Sequence, residues 1–171
     1  IIGTRQLGLA ILVHEGAHGG LATNEKLNLW LSQWLCAYPT FSETLAYRRY
    51  HMKHHRLTQM REDPDLSLSA PFPTTRASIK RKIIRDLTGQ TGFKQRRAQL
   101  MAALGTPDMA LADRARLFGA KLGRAFAVNI AMAVGLALLG WSWLYPLLWI
   151  LPLLTWPMPV PRIRTIAEPA L

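Results

Sequence analysis

Apolar residues are concentrated in three stretches of the chain, separated by polar and basic ones. Residues 6–13 are apolar and uncharged, and residues 27–41 are uncharged over 15 positions and rich in aromatic side chains. From Ala125 to Val160 there are 36 consecutive residues without Asp, Glu, Lys, Arg or His. That run exceeds the ~20 apolar residues that a helix needs to cross a bilayer. The pattern predicts an all-α integral membrane protein.

Each apolar stretch predicts a different relation to the bilayer. Residues 1–13 are expected to be the end of a transmembrane helix whose beginning is missing, and residues 27–41 an interfacial or partly inserted segment. As one straight helix, residues 125–160 would be ~54 Å long, against a hydrocarbon core of ~30 Å. We therefore predict a transmembrane hairpin at 125–160, with its turn at Gly140–Pro146.

Residues 42–124 are predicted to form a cytosolic helical cap. A polar helical pattern from Ser42 to Arg61 should end at Asp63-Pro64-Asp65, because proline disfavours helix in the preceding residue. Residues 66–75 are expected to form a loop, and the basic stretch 76–97, broken by Gly89 and Gly92, a pair of short surface helices.

The basic residues that give the chain its net charge of +11 lie beside the apolar stretches. Basic residues precede and follow the 125–160 run, which indicates that both of its ends are cytoplasmic and that it crosses an even number of times. No nucleic-acid-binding motif accompanies the charge, so nucleic acid is not an expected partner. We expect a bacterial inner-membrane protein with its histidines on the cytoplasmic side.

All five histidines fall in two clusters. His14 and His18 are four residues apart and share a helical face, and His51, His54 and His55 lie within ~100° of one another on a helix. Neutral imidazole is a common ligand of zinc, iron and copper. The spacing predicts a metal site made by these five histidines.

A zinc metalloprotease is one alternative, because residues 14–18 read H-E-x-x-H. That motif places two zinc ligands on one helical face and uses the glutamate, here Glu15, as general base. Such a site needs a third ligand and a water, and it has no use for three further clustered histidines. The second cluster therefore argues against the protease.

The order of the clusters resembles the membrane fatty acid desaturase family. His14 and His18 match its first histidine box, His51, His54 and His55 match the second, and an apolar hairpin follows. The resemblance implies four membrane spans and a cytosolic cap that holds two non-haem irons. It also implies O2, a ferredoxin or cytochrome-type electron donor, and a lipid or fatty acyl substrate that gains a double bond. A lipid or carotenoid hydroxylase or ketolase on the same scaffold is the alternative.

Other residues are interpreted through the same resemblance. Asp63-Pro64-Asp65 matches an acidic turn of bacterial members, and Arg162-Ile163-Arg164 through Glu168 matches a stretch that follows the last span. Glu15 becomes a carboxylate that orients an imidazole rather than a ligand. Asn28 matches a frequent asparagine, and we assign it no role in the site.

Two departures from the family pattern lead to an expectation about the chain itself. No histidine follows His55, so the third histidine box is missing, and Pro169 stands where a histidine is expected. We expect a fragment, cut at both ends, with a frameshift near Glu168 as one explanation. By itself the chain is expected to have no catalytic activity.

Overall fold

The computed structural model describes residues 1–58, 60–66, 74–157 and 159–160, and within these ranges the chain forms helices and no strand. The predicted all-α class is confirmed for these residues. In chain order the α-helices are α1 (Ile2–His18), α2 (Glu25–Trp30), α3 (Thr44–Leu57), α4 (Arg76–Leu87), α5 (Gln90–Leu104), α6 (Leu111–Phe118), α7 (Arg124–Leu138) and α8 (Leu151–Thr155). Tighter and wider turns extend them: π-helical Leu31–Ala37, 3-10 Tyr38–Thr40, and π-helical Gly119–Gly123 and Tyr145–Ile150.

Helix α1 carries the first histidine pair on its last turns. It contains the apolar segment 6–13 and continues to His18, where Gly19 adopts a left-handed conformation with φ 86°. The helix ends there with two backbone hydrogen bonds, in which the N–H groups of Gly19 and Gly20 donate to the carbonyls of Gly16 and Glu15. A left-handed residue after the last helical position is the usual place for glycine, which lacks the Cβ that would clash there.

The end of α1 lies close to the π-helical segment Leu31–Ala37. A Cβ added to Gly16 would stand 2.3 Å from Ser32 Cβ and Oγ. Ser32, fully buried, shares a 2.9 Å hydrogen bond with Thr44 Oγ1 at the start of α3. The segment that follows α2 therefore lies against the last turns of α1 and the first turn of α3.

One helix of membrane-spanning length enters the long apolar run from the basic segment before it. Helices α6 and α7 join through Gly119–Gly123 into a single 28-residue helix, Leu111–Leu138, the only candidate span in the part of the chain that is described. After a turn containing Gly140, at φ 79°, the shorter apolar helix Tyr145–Thr155 follows. At 1.5 Å per residue it would cover about 16 Å, roughly half of a hydrocarbon core. The hairpin and the four spans stay predictions.

Buried polar side chains join the apolar helices to the 3-10 turn. Asn129, 3% exposed, donates from Nδ2 to the carbonyl of Tyr38 at 2.9 Å and accepts from Tyr145 Oη at 2.8 Å. Trp149 Nε1 donates to the carbonyl of Pro39 at 2.9 Å, and Gln6 Nε2 donates to the carbonyl of Trp149 at 2.7 Å. These bonds join α1, α7 and the last π-helical turn to the 3-10 turn that precedes α3.

The two glycines in the basic stretch have different roles. Gly89, at φ 79°, separates α4 from α5, as predicted for a pair of helices. Gly92 does not break the helix but lies within α5, where an added Cβ would be 2.1 Å from the carbonyl oxygen of Leu154. It permits close contact between α5 and α8. Most of the predicted loop 66–75 and the stretch 162–168 lie outside the described residues.

Candidate metal centre

The first histidine pair lies on one side of α1. His14 and His18 are separated by one helical turn, and their ring centroids are 4.7 Å apart. His14 is half-buried and His18 is exposed, which leaves one edge of the pair open. The predicted common face of the pair is confirmed by this ring contact.

The second cluster lies on α3. Glu43 caps the start of this helix, its carboxylate accepting from the backbone N–H groups of Leu45 at 3.1 Å and Ala46 at 2.5 Å. An acidic N-cap satisfies backbone donors that have no partner within the helix. His51 is 9% exposed and faces α1, while His55, one turn later, is exposed.

The two clusters meet, and four histidines form one group. One ligand nitrogen from each of His14, His18, His51 and His55 can be chosen so that all lie within 4.8 Å of one another. His51 Nε2 lies at the centre, 3.0 Å from His18 Nε2 and 3.0 Å from His55 Nε2. A neutral imidazole has a single N–H, so three converging Nε2 atoms cannot all be paired with one another in good geometry. Converging lone pairs suit a shared cation.

Burial and the neighbouring imidazoles favour the neutral form of two members of the group, His51 and His55. Burial, followed by the neighbouring imidazoles of His14, His55 and His18, lowers the pKa of His51 to about 4. The pKa of His55 is also lowered, by burial first and then by His18, His54 and His14. Deprotonated imidazole is the form that binds metal. At neutral pH His51 and His55 are therefore in the form that ligates metal.

His54 is the predicted ligand that does not join the four-histidine group. Its Nδ1 lies 2.8 Å from Asp63 Oδ1 and 3.6 Å from Asp65 Oδ2. Its ring centroid is 5.8 Å from that of His55 and 6.2 Å from that of His51. His54 thus lies beside the group, with one ring nitrogen bound to the acidic turn.

Glu15 contacts a histidine rather than the centre of the group. Its Oε1 lies 3.0 Å from His14 Nδ1, and its side chain is 49% exposed. Carboxylates that accept from the second nitrogen of a ligating imidazole orient the ring and raise its basicity. This position matches the orienting role expected from the sequence, and it offers no support for a general base at the group.

Asn28 is a residue whose importance the sequence interpretation missed. It is 4% exposed, its Nδ2 donates to the carbonyl of Gly16 at 2.8 Å, and its Oδ1 accepts from the backbone N–H of Leu21 at 2.9 Å. It therefore holds the end of α1 and the turn that follows. A buried amide must find partners, so an asparagine in an apolar segment was the signal available.

Tyr47 connects the histidine group to a neighbouring cleft. Its ring stacks on His51 at a centroid distance of 5.1 Å and an angle of 14°. It also lines a cleft of about 560 Å³, with residues of α3, α5 and the segment before α7. The walls combine small or apolar side chains with three cations and the carboxylate of Glu43; the first two kinds are Ala46, Ala102, Ala103 and Leu122, and Arg49, Lys121 and Arg124. Its volume falls in the range of small-molecule sites.

The donor set fits a non-haem iron ion. Four imidazoles on two helices provide a set of nitrogen ligands that suits iron, zinc and copper. Two of the rings, His18 and His55, are exposed, so the group can be reached from outside the helix pair. The residues present therefore suit the metal that the sequence resemblance implies.

Comparison with known proteins gives a family match along nearly the whole chain. Residues 1–168 match the family described as fatty acid desaturase. A 68-residue segment is 40% identical to the dihydrorhizobitoxine desaturase of Bradyrhizobium elkanii, covering 39% of this chain and 19% of that protein. The match thus spans about a fifth of the relative's length. No solved structure matches the chain.

Proposed function

Because the chain belongs to the fatty acid desaturase family, we propose that its histidine group forms part of the metal centre of a non-haem diiron lipid desaturase. The observation that carries the proposal is the convergence of His18, His51 and His55, with Nε2 distances of 3.0 Å. An iron ion there would supply the activation of O2 and the oxidation of an unactivated C–H bond. The protein supplies the position of the reacting carbon.

The roles of the ligands follow from their burial. His51, at the centre and 9% exposed, would anchor the ion, while the exposed His18 and His55 would complete its open side. Glu15 orients His14 through its 3.0 Å contact. Asn28 holds the end of α1, so that the first pair of ligands keeps its distance from the second.

The cleft beside Tyr47 supports a lipid or fatty acyl substrate. Its apolar walls suit a hydrocarbon chain, while Arg49, Lys121 and Arg124 suit an anionic headgroup or carrier. Tyr47 lies against both the cleft and His51, so a chain that enters there comes close to the group. The reaction would consume O2 and electrons from a ferredoxin or cytochrome-type donor.

Membrane placement completes the proposal. The helix Leu111–Leu138 would cross the bilayer as one of four spans, with the histidines on the cytoplasmic side. Support comes from the basic residues at its start, since lysine and arginine concentrate on the cytoplasmic side of membrane segments. A metal group at that face lets an apolar chain reach it without crossing water.

Metal analysis tests the proposal directly. The chain, purified in detergent and loaded anaerobically with Fe²⁺ or Zn²⁺, should retain iron after desalting. His51→Gln should lose it, whereas Arg48→Gln, an exposed neighbour on α3, should bind like the wild type. Retention of zinc alone, or equal iron in His51→Gln, would contradict an iron centre at this group.

Product masses test the reaction class. Lipids from cells that express the full coding region containing this sequence should lose two hydrogens per product if the reaction is a desaturation. Gain of one oxygen would assign the hydroxylase alternative instead. A host that expresses the His51→Gln form is the matched control, and it should show neither product.

A further inference from the structure

We propose that Asp63 is a positioning residue for His54, fixing the ring proton on Nδ1 so that Nε2 keeps a free lone pair for metal. The inference rests on the proposed function, and it assigns a task to the acidic turn Asp63-Pro64-Asp65. His54 would then serve as a fifth ligand through Nε2, beside the group of four.

The hydrogen bonds of Asp63 carry the proposal. Its side chain is 2% exposed, and Oδ1 lies 2.8 Å from His54 Nδ1. The backbone N–H of Asp65 donates to the same oxygen at 2.8 Å. An ionised carboxylate only accepts hydrogen bonds, so Nδ1 must carry the proton. In a neutral imidazole the other nitrogen, Nε2, then has the lone pair.

The turn is held in place by the helix that bears His54. Tyr50, one helical turn before His54 on α3, donates to the carbonyl of Pro64 at 3.2 Å and also to the Asp65 carboxylate. Tyr50 therefore fixes the acidic turn to the same helix that carries His54. A buried carboxylate so restrained can set the orientation of a ring.

The position of His54 explains why such restraint matters. Its ring lies next to the rings of His55 and His51, at centroid distances of 5.8 and 6.2 Å, yet its Nδ1 points to the carboxylate. Without Asp63, a half-buried imidazole could rotate or exchange its proton between nitrogens. Carboxylates in this relation to ligating imidazoles change metal affinity roughly 10- to 100-fold.

The proton position can be measured without any metal. In the metal-free chain labelled with ¹⁵N-histidine, the His54 signals, identified by their loss in His54→Gln, should report protonated Nδ1 and bare Nε2. Asp63→Ala should change that pattern toward a mixture of tautomers. Asp63→Asn, whose amide oxygen can accept both hydrogen bonds, should preserve it and serves if the alanine variant does not fold. Protonated Nε2 in the wild type would overturn the proposal.

A double-mutant cycle separates positioning from general stability. Asp63→Ala should weaken iron binding roughly 10- to 100-fold, and in the His54→Gln background it should add no further loss. Glu62→Gln, at an exposed position just before the acidic turn, is the matched control and should leave the affinity unchanged. Equal losses in both backgrounds would show that Asp63 acts independently of His54, which refutes the proposal. Absence of iron binding in the wild type would refute the proposed function, while the tautomer measurement still decides the role of Asp63.

Discussion

His18 Nε2 and His51 Nε2 lie 3.0 Å apart although 33 residues separate them in the chain. Each residue comes from a different helix, α1 or α3, and neither helix presents more than part of the four-histidine group. The group therefore depends on how the two helices pack, and several measurable properties follow from that dependence.

Asn28 should control both stability and metal affinity. Asn28→Ala removes the two hydrogen bonds that hold the end of α1, and the loss of buried hydrogen bonds costs about 1–3 kcal/mol of unfolding free energy. Because α1 carries His14 and His18, iron affinity should fall as well. Urea unfolding and iron titration measure the two effects.

Asn24 provides the matched control for that variant. It is an exposed N-cap whose Oδ1 accepts from the Leu27 N–H at 3.0 Å. Asn24→Ala should reduce the unfolding free energy by about 1 kcal/mol and leave iron affinity unchanged. If both variants lost affinity equally, Asn28 would have no special relation to the histidines.

Gly92 should tolerate no side chain. Gly92→Ala places a Cβ 2.1 Å from the Leu154 carbonyl oxygen, so α5 and α8 would have to separate, at a cost of about 1–3 kcal/mol. Gly8, on α1, has no atom within 4 Å of an added Cβ. Gly8→Ala should be neutral or stabilising by up to about 1 kcal/mol, and a melting temperature that moved equally in the two variants would contradict the close helix contact.

The stability of the metal-free protein should depend on pH through His51. Burial and the adjacent imidazoles lower its folded pKa from 6.5 to about 4, so below pH 6.5 the unfolded chain binds the proton more readily. The unfolding free energy should fall as pH decreases from about 6.5 to about 4, and the dependence should flatten below that range. Thermal unfolding between pH 4 and 7 measures it.

His51→Gln is the control for that pH dependence, because glutamine does not titrate. The unfolding free energy of His51→Gln should change less with pH than that of the wild type. A residual dependence should remain from His55, whose pKa is also lowered. An unchanged slope in His51→Gln would mean that other groups cause the dependence.

Bound metal should stabilise the fold. An ion that binds the folded group at 100 times its dissociation constant adds about 2.7 kcal/mol to the unfolding free energy. Addition of Fe²⁺ under anaerobic conditions should therefore raise the melting temperature, and excess chelator should reverse the change. His55→Ala, which removes one of the four nitrogens, should show a smaller increase, and an equal increase would place the ion elsewhere.

Helical periodicity could predict which histidines share a face, but not which of them meet. The spacing of His14 and His18 places them on one side of any helix. The end of α1 is placed by the absence of a side chain at Gly16, which lets it lie against Ser32, and by the two bonds of Asn28. Ser32 in turn bonds to Thr44 on α3, and no periodicity reveals these contacts. Membership of the fatty acid desaturase family, by contrast, was visible in the order of the clusters and is confirmed.

The contacts of His54 and Gly92 also could not be predicted from helical periodicity. Periodicity grouped His54 with His51 and His55, while its hydrogen bond to Asp63 depends on a turn nine residues away. Gly92 looked like a helix breaker because glycine is a poor helix former. In the structure Gly92 continues the helix, and close contact with the backbone of Leu154 explains why this position has no side chain.

In the stretch HEGAH, the histidines are constrained because they can ligate metal, whereas Gly16 is constrained because there is no room for a side chain. It has no side chain that could ligate metal, yet any side chain there would collide with Ser32, whose Cβ and Oγ stand 2.3 Å from the position of an added Cβ. Gly20 has only the flexible end of Glu15 and one carbonyl within 3.4 Å of such an atom. In a saturation mutagenesis screen, position 16 should therefore be as intolerant as the histidines on either side of it. A residue can thus look like a ligand in a fitness map solely because it leaves room for its neighbour.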